Sequence, residues 1–399
     1  MIIKLFSQSF FGSVVYAVTQ WMIISSITRV LSVDSTGEYA TSLGIVTTIN
    51  IFFGFGIRQI TYSSTEDWVK KLYLPVIFLQ LISLSISLII SLIFYPSLLL
   101  LTLFLSLFKL IETLTEYQYG LYQLKDDHKK IAQSRVIRSI VYTAFFIIAL
   151  ISSKSIILAT ASMFFANLIL FFVVDKIKLS DLSIISFNNN LIHVVHLGFP
   201  LAITAAFLSL RSTSPRFILE HYMGYETVGI FVSYLYLINA GNMVVQAWAQ
   251  VIAPKVSKFF NQKDISSLVD IKRKGELFIF FYCLIFAFIL YVFHNEIIYI
   301  IYGNNIEINS YIALSLVVLM VTTYISSYNG YILTAIKEFK VQPKIFSFLF
   351  IVSLLLTIYL AHNQGLVHII YGLSFVCILQ IMILKFFYSR KIKTLPYEN

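Results

Sequence analysis

Residues 99–122 read LLLTLFLSLFKLIETLTEYQYGLY, an apolar run long enough to cross a bilayer and interrupted at intervals by polar side chains. At about 100° per residue, Thr102, Ser106, Lys109, Glu112, Thr113, Glu116 and Gly120 fall within one narrow helical sector. A helix needs about 20 mainly apolar residues to span hydrocarbon. Each centred Lys, Arg or Asp costs about 2.5–3.5 kcal/mol on insertion scales. A membrane helix with Lys109, Glu112 and Glu116 on one face therefore turns that face toward protein or water.

The rest of the chain continues this pattern. Of 399 residues, 58% are apolar and 12% charged, with a mean hydropathy of +0.85. Soluble domains run about 45–50% apolar and about 25% charged, so an ordinary soluble enzyme, a disordered protein and a coiled coil are excluded. The net charge of +10 reads as the cytoplasmic Lys/Arg bias of membrane proteins and not as a nucleic-acid footprint. Cys283 and Cys377 both lie in apolar runs, which gives no ground for a disulfide, a metal site or a thiol nucleophile. The histidines form no HExxH or other ligand spacing, and no Gly-rich phosphate loop is present, so neither metal nor cofactor is expected. The apolar run over 5–30 is too long for a signal peptide core and reads as a first membrane helix.

Reading outward at bilayer length gives about twelve spans, at 5–30, 37–60, 72–95, 97–117, 134–152, 155–174, 197–219, 226–251, 276–294, 308–335, 345–362 and 366–388. Basic residues follow the even spans: Lys70 and Lys71, then Lys125 to Arg138, Lys176 and Lys178, Lys255 to Lys274, Lys337 to Lys344, and Lys385 to Lys393. Most other breaks carry acids, such as Asp34, Glu38, Glu220, Glu296 and Glu307, with Lys154 the basic exception. The even loops are thus expected in the cytoplasm, with both termini. The expected organisation is an all-α polytopic protein: a six-helix bundle over 1–174, a cytoplasmic linker over 175–196 containing Phe187 to Asn190, a second six-helix bundle over 197–388, and a cytoplasmic tail over 389–399.

An internal repeat supports two halves. Laying span two on span eight puts Gly37 on Gly229, Thr47 on Asn239, Asn50 on Asn242, Gly54 on Gln246 and Arg58 on Gln250. Laying span four on span ten puts Glu112 on Thr322, Thr113 on Thr323, Glu116 on Ser326 and Gly120 on Gly330. The copies are an even number of spans apart, so they share orientation and predict an axis along the membrane normal.

Polar stripes are expected on spans one, two, four, seven, eight and ten, lining a wet interior, with the other six spans as the lipid-facing wall. The candidate cavity residues are Arg211, Lys109, Arg58, Asn50, Asn239, Asn242, Gln246, Gln250 and Gln8. Neutral Ser, Thr, Asn and Gln also bond helices together at about 0.6 kcal/mol each, so their bland role is structural. Lys109 and Glu112 stand at i, i+3 and can pair on one helix. Glu116 is then a spare carboxylate, and Glu112 and Glu116 are the candidates for ion coupling. Arg29 and Arg216 read as anchors near the outer helix ends. Pro200, Pro254, Gly54 and Gly56 are candidate bend points.

The chain resembles the polysaccharide flippases of the multidrug/oligosaccharidyl-lipid/polysaccharide (MOP) exporter superfamily, specifically the Wzx-type O-antigen flippases. The carriers of the resemblance are Gly37-Glu-Tyr-Ala, Gly54-Phe-Gly-Ile-Arg58, Leu197-Gly-Phe-Pro-Leu, Val228-Gly-Ile-Phe and Gln250-Val-Ile-Ala-Pro254-Lys. It implies twelve helices in two bundles forming a MATE-like V, in a bacterial inner membrane. It implies transport, not enzymatic chemistry, of an oligosaccharide on undecaprenyl diphosphate to the periplasmic leaflet. A polysaccharide polymerase and a chain-length regulator are the implied partners, beside the lipid-linked glycan and membrane lipid. Similar flippases have a cationic cavity, and Arg58, Lys109 and Arg211 stand at comparable places. The numerous tyrosines would suit sugar rings. Two rivals differ on the same residues. A multidrug antiporter of the superfamily would favour acids for cationic drugs, against Lys109 and Arg211. A membrane O-antigen polymerase would need a sizeable outer loop, and the longest here covers only about 294–306.

Overall fold

Inside hydrocarbon each backbone N–H and C=O must find its partner within the chain, so apolar runs of this length become helices. The computed structural model describes residues 2–62, 66–69, 72–125, 127–175, 187–338 and 341–393; Lys70, Lys71, Lys176, Lys178 and Lys340 lie outside the described residues. Helices are the only regular elements among those described. The first half contains α1 Ile2–Val30, α2 Val33–Phe53, α3 Ile57–Tyr62, α4 Glu66–Val69, α5 Tyr73–Phe94, α6 Leu99–Leu124, α7 His128–Ser153 and α8 Ile156–Val173. There follow α9 Phe187–Asn261, α10 Ile265–Val292, α11 His294–Tyr302, α12 Ser310–Ala335, α13 Gln342–Asn363 and α14 Leu366–Lys393.

Among the described residues, 10 helices are long and apolar enough to cross a membrane. The 75-residue α9 is broken at Gly224 (φ 80°, ψ 174°) and counts as two limbs. With α1, whose apolar described part is Val14–Val30, the twelve spans read from sequence are accounted for. The breaks between helices are set by short polar side chains. Ser32, Asp127, Ser155, Asp264 and Asn309 each accept from a backbone N–H of the following first turn, satisfying donors that a helix start leaves open.

Two expected details of the breaks differ. Pro200 and Pro254 lie within α9, where Gly224 alone has non-helical angles. Gly54 and Gly56 do mark a break: Phe55 and Gly56 take left-handed angles (φ 47° and 61°) between α2 and α3. The Phe187 to Asn190 stretch, expected as linker, is the first turn of α9, and Asn190 accepts from Trp68 Nε1 at 3.1 Å. Asparagine serves a helix start as readily as a loop, so its composition does not separate the two.

The chain divides into two compact units: Met1–Glu220 with Gly224–Gly229, and His221–Met223 with Ile230–Asn399. The span at 197–219, grouped from sequence with the C-terminal half, packs in the first unit. Thr48 on α2 bonds both Ser209 (3.1 Å) and Thr213 (3.0 Å) on α9. Arg216 donates to the Ala40 carbonyl at 3.2 Å, so it ties two helices together and is more than an interfacial anchor. The repeat glycines meet here. A Cβ on Gly37 would lie 1.9 Å from the Tyr225 carbonyl oxygen, and one on Gly229 would lie 2.1 Å from that of Val33. Only hydrogen side chains permit this backbone approach.

In the first unit α6 is central, touching α2, α3, α5 and α8. The polar stripes are more widely shared than expected. On α5, Gln80, Ser83, Ser87 and Ser91 form a buried row at helical spacing. On α7, Ser134, Arg138, Ser139 and Thr143 form another. Conversely, Ser315 and Thr322 on α12 are buried and bond their own helix's carbonyls, so they do not line a wet face, whereas Asn329, also bonded to its own helix, borders a groove of the second unit. Small hydroxyls can return their hydrogen bond to the i−4 carbonyl, which makes a stripe cheap to bury.

The second unit is held by tyrosines. Tyr324 donates to the Ile238 carbonyl (2.9 Å), Tyr302 to Ser233 (2.8 Å), Tyr234 to Glu307 (2.8 Å), Tyr282 to Gly241 (3.0 Å) and Tyr328 to Lys272 (3.1 Å). Tyr234, Tyr302, Tyr324 and Tyr328 are buried, so these rings act as helix glue. Large apolar side chains such as Phe94, Ile148, Ile169, Phe288, Leu355 and Met382 are exposed, as a hydrocarbon-facing surface requires.

Candidate functional site

The polar face of α6 builds a charged ladder inside the first unit. One rung is Lys109, whose Nζ stands 2.5 Å from Glu112 Oε2 on the same helix. Glu112 Oε1 accepts from the Tyr16 hydroxyl of α1 at 2.8 Å. The i, i+3 pair anticipated from sequence is thus present, with a phenol from another helix completing it.

One turn further, Glu116 accepts from Arg58 Nη1 at 2.9 Å and from Arg135 Nη2 at 2.8 Å, one guanidinium on each oxygen. Glu116 is therefore not a spare carboxylate. The left-handed turn at Phe55 and Gly56 redirects the chain so that Arg58, on α3, faces α6. Gly120 lets α3 come close, since a Cβ there would lie 2.5 Å from Thr61. Arg58 Nε also donates to Gln123 Oε1 at 3.2 Å. Both guanidiniums lie over the Tyr119 ring, at 5.9 and 5.4 Å from its centroid.

Beside the ladder, Asn50 donates to Gln80 Oε1 at 2.5 Å and accepts from Thr113 at 3.1 Å. It thereby joins α2, α5 and α6. Side-chain exposure across the two rungs runs from 14% for Lys109 to 34% for Glu116, so these groups are neither sealed in nor on the surface. Three cations meet two carboxylates, which leaves one net positive charge. Arg211, half-buried on α9, is a further cation in this unit.

The structure thus brings Arg58, Lys109, Glu112, Glu116 and Asn50 together around α6, and holds Arg211 in the same unit through the Thr48 bonds. Gln8 stands in α1, with its side chain outside the described residues. The four amides of the second half belong to the second unit. Asn239 and Gln250 are exposed there, while Asn242 and Gln246 are half-buried. The Asn242 Oδ1 is buried without a hydrogen-bond partner, a donor-seeking atom on that stripe. Arg135, Tyr16 and Gln80 were not legible as site residues. Arg135 looks like one more basic residue of a cytoplasmic loop, and Tyr16 like one more aromatic in an apolar run.

A second cluster closes the loop-facing end of the same unit. Arg138 pairs with Asp175, and its other Nη donates to Asn167 Oδ1 at 2.6 Å. Ser134 donates to Asp175 at 2.8 Å and accepts from Tyr119 at 3.0 Å. Burial pushes the Asp175 carboxyl up, against the pull of Arg138 and Ser134. Arg138 and Asp175 are 5% and 0% exposed, which makes this pair structural.

Residues 9–260 match a family model described as "Polysaccharide biosynthesis protein". The chain is 26% identical over 277 residues to the capsular polysaccharide biosynthesis protein CapF of Staphylococcus aureus, covering 68% of this chain and 70% of that one. Among solved structures it is similar to the inward-facing form of a multidrug resistance MATE transporter of the MOP superfamily, with a TM-score of 0.75 and 13% identity over 97% of this chain and 96% of that one. A MOP superfamily transporter from Pyrococcus furiosus, described as having a binding pocket of reverse polarity, matches with a TM-score of 0.63 and 12% identity over 99% and 96%. At such identities the likeness is one of fold.

Proposed function

The chain belongs to the polysaccharide biosynthesis protein family, and on that premise we propose that it flips lipid-linked repeat units of a surface polysaccharide across the bacterial cytoplasmic membrane. It is a multi-pass membrane protein with the fold of MOP transporters, and family and fold point to a transporter rather than a catalytic enzyme. The cargo in this reading is an oligosaccharide on undecaprenyl diphosphate, moved from the cytoplasmic to the outer leaflet. The CapF relative supports a surface polysaccharide in general, so capsule stands beside O-antigen as the glycan's destination. A downstream polymerase and chain-length regulator would take the product.

The observation that carries the reading is the half-buried, net-positive ladder of Lys109, Arg58 and Arg135 against Glu112 and Glu116 within membrane spans. A diphosphate cannot enter hydrocarbon without losing its hydration. Guanidinium and ammonium donors replace that hydration, and Arg binds phosphate in a bidentate fork. Partial exposure leaves them able to exchange a carboxylate partner for a phosphate. In the first unit Arg211 and Asn50 would add donors and acceptors for the sugars, and in the second unit Asn239, Asn242, Gln246 and Gln250 would do the same. Movement of one half against the other would present the headgroup to either side, while the lipid tail stays in the bilayer. The same surplus of cations argues against a cationic drug as cargo.

The test is complementation of a strain lacking its own repeat-unit flippase. The chain is expected to restore surface polysaccharide and clear lipid-linked units from the inner leaflet. Losing one charge-assisted phosphate contact is worth about ten- to a hundredfold. Arg58→Ala, Lys109→Ala and Arg211→Ala, at equal membrane levels, are each expected to lower export by about that factor. Undiminished export in all three would overturn the reading, as would a null strain that already displays single repeat units outside.

A further inference from the structure

The second unit carries a groove that the transport reading does not use. It has a volume of 530 Å³ and runs between α10, α12 and α14. That size lies within the ~300–1,000 Å³ of sites that hold one small ligand. Its floor includes Ile279, Cys283, Val321, Ile325 and Tyr328, and its rim includes Leu277, Phe280 and Leu284. These three rim residues are large, apolar and exposed, which suits a face turned to acyl chains.

The charges at one end are not distributed at random. Arg273 and Lys385 both line the groove, near the start of α10 and the end of α14. Their basic neighbours are already matched: Lys272 with Glu276 (2.6 Å), Lys274 with Asp270 (2.7 Å) and Lys391 with Glu338 (2.6 Å). Glu276, the one acid on the lining, is thereby committed to Lys272. Arg273 and Lys385 make no ion pair or hydrogen bond among the described residues. Along α10 the lining continues from Arg273 through Leu277, Phe280 and Leu284 to Ala287. At 1.5 Å per residue that distance is about 21 Å, more than half of a ~30 Å hydrocarbon core. The groove therefore has the dimensions of one leaflet, with two unmatched cations where a headgroup lies and an apolar slot where a chain lies.

The geometry points to a resident site for an anionic glycerophospholipid of the cytoplasmic leaflet, its phosphodiester held by Arg273 and Lys385 and one acyl chain in the slot. Basic pockets between membrane helices on that side recognise anionic headgroups through this combination. Two cations suit a single phosphodiester charge. The site lies in the second unit, apart from the α6 ladder, and is independent of what cargo the protein moves.

The experiment uses the full chain purified in neutral detergent. Thermal unfolding and native mass spectrometry are followed as phosphatidylglycerol, phosphatidylcholine, inorganic phosphate or polyprenyl phosphate is added. Each cation near an anionic headgroup is worth about fivefold in affinity. The Arg273→Gln/Lys385→Gln double variant is therefore expected to bind phosphatidylglycerol about 25-fold more weakly, with its melting temperature in detergent alone unchanged. If that variant fails to fold, Leu284→Trp fills the slot from an exposed rim position and is expected to abolish lipid retention with both cations intact. Equal stabilisation by phosphatidylcholine, equal stabilisation by inorganic phosphate, stronger binding of polyprenyl phosphate, or undiminished binding by either variant would each overturn the assignment.

Discussion

Arg138 and Asp175 form a buried ion pair in which one side chain can matter greatly for stability. Breaking a buried pair by removing one partner costs about 3–5 kcal/mol, because the other charge is left without compensation. Arg138→Met is expected to lower the thermal unfolding midpoint steeply, and Arg138→Met/Asp175→Leu, with neither charge left, to recover most of the loss. Equal losses in the single and double variants would mean that packing of the arginine stem, not its charge, does the holding. Glu116 behaves differently because it is part exposed. Both its oxygens are engaged by guanidiniums, so Glu116→Gln is expected to cost about 1 kcal/mol per lost pair and to leave the pH profile of glycan export unchanged. A profile that flattens on this substitution would restore the sequence-based idea of proton coupling there. The sequence disclosed Lys109, Glu112, Glu116 and Arg58 because a charge inside an apolar run is costly and hence conspicuous. It hid Arg135 and Arg138 because basic residues at the start of a helix have an ordinary explanation in the positive-inside bias. Tyr16 and Gln80 are chemically unremarkable until a neighbour is placed beside them.

At the scale of elements, the repeat was legible as polar positions recurring in two helices, yet equivalent positions do not have equivalent surroundings. Gly120 on α6 faces Thr61, with a Cβ only 2.5 Å from it, while nothing lies within 4 Å of a Cβ on Gly330 of α12. Gly120→Ala is expected to cost about 1–3 kcal/mol by overpacking. Gly330→Ala is expected to stabilise by about 0.5–1 kcal/mol through helix propensity. Unfolding of the two variants in detergent separates them, and losses of equal size would contradict this asymmetry. The start of α10 depends on Asp264, whose carboxyl is held below its usual range by hydrogen bonds from Ser267. A carboxyl lowered in the fold stabilises above its unfolded pKa and loses that contribution as pH falls through the folded one. Hydrogen exchange in the first turn of α10 is accordingly expected to speed up, relative to neighbouring turns, on acidification below that range, and Asp264→Ala to show the faster exchange already at neutral pH. The twelve spans could be counted from composition because bilayer thickness fixes helix length. The buried serine row on α5 could not, since serine satisfies itself on its own helix and leaves no imbalance in the sequence.

For the whole molecule, the direction of transport depends on which loops face the cytoplasm, and that rests on charge. The segment from Lys255 to Lys274 is rich in Lys and Arg, whereas the turn after α11 carries Gly303, Asn304 and Asn305 and no basic residue. Retaining cations on the cytoplasmic side is worth about 1 kcal/mol per Lys or Arg near an anionic leaflet, so six such residues in one segment hold an orientation strongly. Cys283, on the groove floor, and Cys377 are both buried, and the chain without an added cysteine gives the background labelling. In cells carrying Lys263→Cys, a membrane-impermeant maleimide is expected to react only after permeabilisation. With Asn304→Cys it is expected to react with intact cells. These sites precede and follow α10 and α11, so they lie on opposite sides if α10 crosses the bilayer once, as its 28 residues allow. The reverse pattern would invert the molecule, place the Arg273 and Lys385 end of the groove at the outer leaflet, and require that cargo be loaded from outside. Labelling of both sites from one side would remove α10 as a span and with it the even count that puts the two termini together.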